Sequence, residues 1–251
     1  MELREYLTRL EIPDERPATR ETLDFLHDRH LIQVPFENLD IVAGREIVLD
    51  EAAILEKIVT RRRGGFCYEL NTAFAWLLRQ TGFEVEILAA EVLGDDDGWG
   101  IPFDHMLLGV EVDGKALIVD VGFGNGFSKP LELDEEDEVK QHGIAWRVRR
   151  DDDHVHVERY DRKRLKFRSV YRFTRQPRVL ADFADGCRHH QTSSESPFTR
   201  GPLVSAAIPD GRATLHRDRL VLQRGPELRE EPIASEEAWR KALQRYFSLT
   251  P

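Results

Sequence analysis

Polar and apolar positions along the chain change their period twice. After Thr19, a residue suited to capping a helix, Leu23, Leu26, His27, His30 and Leu31 recur at helical spacing. Asp50 is placed to cap a second helix with Ile54, Leu55, Ile58 and Val59 on one face. A third starts near Cys67, presents Leu70, Ala73, Phe74, Leu77 and Leu78, and stops at Gly82. From there the period falls to two. Phe83, Val85 and Ile87 alternate with Glu84 and Glu86. Short β-branched runs follow at Met106–Val112, Ala116–Val121, Ile144–Val148, His154–Val157 and Leu165–Phe173, separated by turns such as Asp113-Gly114. Short links between sequential strands predict an antiparallel sheet or small barrel.

Past Arg188 the pattern is mixed. Ser194 to Phe198 reads as loop, and Leu203–Ile208, Ala213–Leu215 and Leu220–Leu222 as strands, with Asp210-Gly211 a turn. Ser235 is placed to cap a last helix bearing Trp239, Leu243, Tyr246 and Phe247. Helices, then strands, then a mixed segment predict an α+β fold. The acidic patches at Asp95–Asp97, Asp134–Asp137 and Asp151–Asp153 sit between strand-like runs and read as solvated turns rather than metal ligands.

Composition narrows the function. With 36 Lys and Arg against 46 Asp and Glu, the 251-residue chain carries a formal charge of −10, the opposite of what general nucleic-acid binding needs. The two cysteines, Cys67 and Cys187, are too few for a disulfide scaffold or a zinc site and suit a reducing cytoplasm; Cys187 reads as a spare buried thiol. No leader-like segment opens the chain, and no apolar run is long enough to cross a membrane. The expectation is a cytoplasmic enzyme with no metal, no nucleic acid and no membrane partner. No feature specifies an oligomeric state.

Chemistry concentrates around Arg61-Arg62-Arg63-Gly64-Gly65-Phe66-Cys67-Tyr68-Glu69-Leu70-Asn71. Two glycines permit close backbone approach, and Cys67 falls at a helix start, where free amides and the helix dipole favour a thiolate. A thiolate attacks a carbonyl or thioester; the bland alternative is a buried structural cysteine. A nucleophilic thiol needs a base and an orienting acceptor. Of nine histidines, His27 and His30 lie on the first helix, His154 and His156 on a surface hairpin, and His142 beside Gly143. His105 differs in opening an apolar strand, and Asp120 in ending one. Pairing about Asp113-Gly114 sets residue 107 opposite 120 and brings His105 towards Asp120. A Cys–His–Asp triad is one reading; a satisfied core histidine and a turn-forming aspartate are the other.

Residues 62–71, Arg-Arg-Gly-Gly-Phe-Cys-Tyr-Glu-Leu-Asn, resemble the active-site motif of the arylamine N-acetyltransferases. Val34–Asp40, Phe103–Leu108 and Val119–Gly124 match in order and at suitable spacing, and Ser196-Pro197-Phe198 and Asp210–Leu215 resemble the family's last lobe. The resemblance implies a helical bundle over residues 1–84, a central antiparallel β-barrel over 85–187 and an α/β lid over 188–251, with an active-site arrangement like that of cysteine proteases. It makes Cys67 the acetylated nucleophile, His105 its proton partner and Asp120 the orienting carboxylate. Glu37 and Arg63 become a supporting ion pair, and Phe123 borders the acceptor pocket, with Phe36, Phe66 and Phe103 as further candidates. The donor implied is acetyl-CoA and the acceptor a small amine, hydrazine or hydroxylamine, with ping-pong kinetics and a Cys67 pKa well below that of a free thiol. Backbone amides of Gly122-Phe123-Gly124-Asn125-Gly126 are suited to donor phosphates, with Ser128 and Lys129 nearby.

Three other activities fit the same residues. One is a related acyltransferase that closes an amide in polyketide biosynthesis, drawing on a carrier protein. The second is a cysteine hydrolase with water as acceptor. The third, a non-catalytic ligand-binding relative, sits poorly with a complete Cys, His and Asp set.

Overall fold

A short helix, α1 (Leu3–Arg9), precedes the first helix that the periodicity marks, α2 (Arg20–Gln33). The Thr19 hydroxyl accepts the Thr22 amide and caps α2, whose Leu23, Leu26, His27, His30 and Leu31 are all buried. The structure is a computed structural model and describes residues 1–250 other than 210 and 226. The expected Asp210-Gly211 turn therefore lies partly outside the described residues.

Strand β1 (Phe36–Glu37) and the single turn α3 (Leu39–Val42) follow. The second expected helix is divided. Asp50 caps α4 (Glu51–Leu55), accepting the Ala53 amide at 2.9 Å, and the chain then runs through a π-turn at Glu56–Thr60. That turn carries Lys57, a buried ammonium held by Asp40 at 2.7 Å and Glu69 at 2.8 Å. Removing one partner of a buried ion cluster leaves uncompensated charge. Lys57→Met is therefore expected to cost about 3–5 kcal/mol in urea unfolding. Burial already pushes Glu69 up to about 7 against the pull of Lys57. A carboxyl that holds its proton more tightly when folded loses stability as pH rises from its unfolded value through its folded one. The loss should thus be greater at pH 8.5 than at pH 6. A pH-independent loss below 1 kcal/mol would show that the cluster contributes nothing.

Helix α5 (Cys67–Thr81) ends at Gly82, whose φ of +98° is left-handed and suits glycine at a helix terminus. Eight antiparallel strands follow: β2 (Glu84–Val92), β3 (His105–Val112), β4 (Lys115–Val119), β5 (Leu131–Glu132), β6 (Val139–Gln141), β7 (Ile144–Arg150), β8 (Val155–Asp161) and β9 (Lys166–Phe173). They pair in the order β5-β4-β3-β2-β9-β8-β7-β6. The sheet curls but does not close as the expected barrel, because β5 and β6 each pair on one side only. Two- and three-residue strands offer too few backbone groups to seal the seam. Strand β3 is apolar throughout because both faces are covered. Met106, Leu108 and Val110 join the helical core, while Leu107 points into the curl with Ile118, Trp146, Val157 and Tyr171. His156, expected on a surface hairpin, is buried in β8, with Nε2 2.6 Å from Asp151 and Nδ1 3.2 Å from Ser169.

Helix α6 (Ala184–Thr192) leads to β10 (Leu203–Ile208), β11 (Gly211–His216), β12 (Arg219–Arg224) and β13 (Glu227–Pro232). These form a second antiparallel sheet in the order β1-β10-β11-β12-β13. The expected boundary at 187/188 thus falls inside α6, and the C-terminal sheet takes β1 from the N-terminal segment, with Phe36 opposite Ser205. Ser235 caps α7 (Glu236–Phe247). Strand alternation gives this sheet two characters: Val204, Ala206, Ala213, Leu215 and Leu220 pack on Leu243 and Phe247 of α7, while the other face carries Ser205, Arg212, Thr214, His216 and Gln223. That polar face is the roof of the site described next.

Candidate active site

Cys67 is the first residue of α5, as the motif predicts. The two preceding glycines are there for space. A Cβ on Gly64 would overlap the Pro35 carbonyl, and one on Gly65 would lie 2.7 Å from Glu69 Oε2. The approach is needed because the backbone of β1 runs alongside: Glu37 N donates to the Gly65 carbonyl at 2.8 Å. Arg63 ties the same segment, its Nη2 lying 2.6 Å from Glu37 Oε1 and 3.3 Å from Asp40, and Glu37 Oε2 accepts the Leu39 amide at 2.7 Å. Glu69 closes the helix start by accepting the Phe66 amide. These contacts fix where the thiol stands.

The β3–β4 register is the one that the turn predicts. Asp113 and Gly114 both have positive φ, a two-residue hairpin turn, and Leu108 lies opposite Val119, which sets Leu107 against Asp120. His105 Nε2 lies 2.8 Å from Asp120 Oδ2, with both residues buried. The other carboxylate oxygen accepts Asn71 Nδ2 at 3.0 Å and the Gly122 amide at 2.8 Å. Burial alone would raise the Asp120 pKa, but His105, Asn71 and the Gly122 amide together hold it below its ordinary value. An ionised carboxylate can only accept, so Nε2 carries the proton and Nδ1 is left as the base. Among the described residues Nδ1 has no hydrogen-bond partner.

For Cys67 the structure gives the opposite of the expected low thiol pKa. Burial pushes it well up, Asp104 and Asp120 push it further, and only the Met106 amide eases it. The helix start does not outweigh the loss of water. Ionisation of this thiol requires a base, and His105 lines the same cavity.

That cavity, about 690 Å³, is bordered by Cys67, His105, Phe36, Phe123, Phe198 and His190 under the roof of β10–β12. Phe123 stands edge-on to His105 with ring centres 5.2 Å apart. Two of the aromatic residues expected to border the pocket do not line it. Phe66 is wholly buried between Tyr68 and Phe198, and Phe103, at φ +60°, packs on Phe183. Gly122, Gly124 and Asn125 line the cavity whereas Gly126 does not. The Gly122 amide, expected to face phosphate, is taken by Asp120, and this glycine serves a different need. A Cβ there would meet Asn71 Nδ2 at 2.5 Å and Cys67 Cα at 2.8 Å. Gly122→Ala is expected to lower stability by about 1–3 kcal/mol, as overpacking does, and to lower activity beyond that loss. Full activity at temperatures where the variant is folded would exclude any strain on the thiol.

Sequence reasoning assigned no role to Asn71, one helical turn beyond Cys67 and so on the same face. Its amide joins three elements, donating to Met106 O at 2.7 Å and to Asp120, and accepting from Val121 N at 3.1 Å. The Tyr171 hydroxyl, buried against His105 and Phe123, is pushed up by burial and by Asp120. His27 reaches from α2 to the carbonyls of Asp120 and Ser128, at 3.1 and 3.0 Å. His190 lies 2.9 Å from Asp104 and 3.2 Å from Ser196. Apart from the helical spacing of Asn71, no local pattern marks these positions. Cys187 is buried beside Gln191, and burial pushes it up to about 12.

Comparison with known proteins bears on what this arrangement does. An N-acetyltransferase family model matches residues 19–250. The chain is 33% identical to an arylamine N-acetyltransferase, pineal gland isozyme, of Gallus gallus, over 100% of this chain and 94% of the relative. Its fold superposes on the arylamine N-acetyltransferase of Salmonella typhimurium with a TM-score of 0.92 and 31% identity, covering 98% of this chain and 90% of that one. The Mycobacterium marinum arylamine N-acetyltransferase in complex with CoA aligns with a TM-score of 0.91 and 26% identity, covering 98% and 92%.

Proposed function

The chain belongs to the arylamine N-acetyltransferase family, and from that premise we propose that it carries acetyl from acetyl-CoA to an arylamine, hydrazine or arylhydroxylamine through a thioester on Cys67. The observation that carries this reading is the 2.8 Å contact of His105 with Asp120 at the cavity where Cys67 lies. Asp120 orients the imidazole and stabilises its cationic form, as the third member of a triad does. His105 Nδ1 takes the thiol proton, and Cys67 Sγ attacks the acetyl carbonyl. The amides of the first turn of α5 lack helical acceptors and are suited to the oxyanion. CoA leaves as its thiol, with the proton returned by His105. An acceptor nitrogen then attacks the Cys67 thioester, His105 removes its proton, and the N-acetyl product departs with Cys67 restored. The arrangement of nucleophile, base and carboxylate is that of cysteine proteases.

The three segments fit this division of labour. The helical segment, 1–84, presents the nucleophile, 85–187 presents His105 and Asp120, and 188–251 roofs the cavity. Phe123 and Phe36 border the acceptor, and Glu37 and Arg63 hold the motif in place. Two buried free thiols suit a reducing cytoplasm. Initial rates over a grid of acetyl-CoA and arylamine concentrations test the proposal, with CoA release and amine loss followed together. Parallel double-reciprocal lines and matched stoichiometry are expected. CoA release without amine loss would make the protein a hydrolase instead.

A further inference from the structure

Two guanidinium groups bracket the loop of residues 122–126, and neither has a carboxylate partner among the described residues. Arg212, on the roof face of β11, donates to Ser205 Oγ at 3.2 Å, and that hydroxyl donates to the Gly124 carbonyl at 2.9 Å. Arg159, on β8, reaches the Asn125 carbonyl at 3.4 Å and lies over the Trp146 ring, 5.7 Å from its centre. Both side chains belong to half-buried residues, and burial pulls both below the ordinary guanidinium value, Arg212 to about 10. The contrast with Lys57 and Arg63 is direct, since each of those sunken cations meets two carboxylates. An uncompensated cation out of water is costly unless an anion joins it.

The loop between them is also unsatisfied. Among the described residues, the amides of Phe123, Gly124, Asn125 and Gly126 donate to no protein acceptor. Beyond Asn125 the cavity continues into an open groove that shares Phe123, Asn125, Gln223 and Leu228 with it. Arg159, Arg162 and Lys163 line that groove, none with a carboxylate partner among the described residues. Arg168 and Arg164 are there too, paired with Asp97 and Asp161. In a chain of net charge −10, this is a local basic field leading out of the reactive cavity.

We propose that Arg212 and Arg159 take the phosphate oxygens of the acyl donor, with the amides of residues 123–126 between them. The donor then runs from Cys67 past the glycine loop and into the basic groove. The assignment rests on acetyl-CoA being the donor. It favours the donor over an anionic acceptor because the two guanidiniums lie in different hollows. A small aryl carboxylate reaches one of them, whereas an extended ligand with several phosphates meets both.

The test compares ligands with and without phosphates in Arg159→Gln and Arg212→Gln. Calorimetric titration with CoA is expected to show about tenfold weaker binding in each variant, the loss of a charged hydrogen-bonding partner. The dependence of affinity on salt should become shallower. Acetylpantetheine, which keeps the reactive arm but has no phosphates, should acetylate Cys67 in the variants at the wild-type rate. Unchanged CoA affinity would overturn the assignment. So would equal losses with CoA and acetylpantetheine, or an effect confined to the KM of a carboxylate-bearing acceptor. Failure of wild type to accept acetyl from either donor would instead sink the transferase reading, since CoA titration does not depend on turnover.

Discussion

Cys67→Ala is expected to reduce acetyl transfer by about 10⁴-fold or more, the scale on which loss of a nucleophile is felt in a triad that acts as a unit. With no sulfur at the head of α5 there is no atom to carry the acetyl group between donor and acceptor. Intact-mass measurement after acetyl-CoA alone should find wild type heavier by one acetyl group and the variant unchanged. CoA should still bind the variant, because the loop and roof that border the cavity do not depend on the thiol. The buried site tolerates the change, as alanine is smaller than cysteine and leaves no polar group unpaired. Retention of turnover would mean direct transfer from donor to acceptor, and Cys67 would then be the buried structural cysteine that the sequence also allowed.

Asp120→Asn should be nearly as severe, with kcat down by about 10⁴-fold and the KM for acetyl-CoA near its wild-type value. The shape is kept but the charge is not. An asparagine NH2 towards His105 Nε2 would select the tautomer whose proton sits on Nδ1, where the base is needed. His105→Gln tests the same coupling from the other side. Burial and the neighbouring carboxylates hold the Cys67 pKa well above that of a free thiol unless a base takes its proton. A raised thiol pKa means that the reactive form appears only at high pH. Iodoacetamide should therefore alkylate Cys67 in His105→Gln about 100-fold more slowly than in wild type at pH 7. The gap should narrow as pH rises. Equal rates at pH 7 would show that His105 does not ionise the thiol.

The helix caps at Thr19, Asp50 and Ser235, the strand alternation and the Asp113-Gly114 hairpin were legible because each is a local matter of propensity and periodicity. The β3–β4 register followed from the same turn, which is why His105 and Asp120 could be paired before any coordinates. Elements without a local signature were missed. Strand β13, Glu-Leu-Arg-Glu-Glu-Pro, has no apolar alternation and lies exposed at a sheet edge. Helix α1 is too short to display a period. The π-turn at Glu56–Thr60 carries an ion cluster whose acids come from α3 and α5.

By its own residues the sequence determined the α+β order, the place of Cys67 at a helix start, and the hairpin that joins His105 to Asp120. Each of these depends on neighbours within a few turns of chain. The tertiary structure decided what depends on distance in sequence and on exclusion of water. It tied Asp120 to Asn71 and His27, left Phe66 and Phe103 out of the cavity, and kept the curled sheet open. It turned Gly122 from a phosphate donor into a point of contact with α5. It also raised the thiol pKa that a helix terminus alone would have lowered, because desolvation acts on a charge from all sides whereas a helix dipole acts from one.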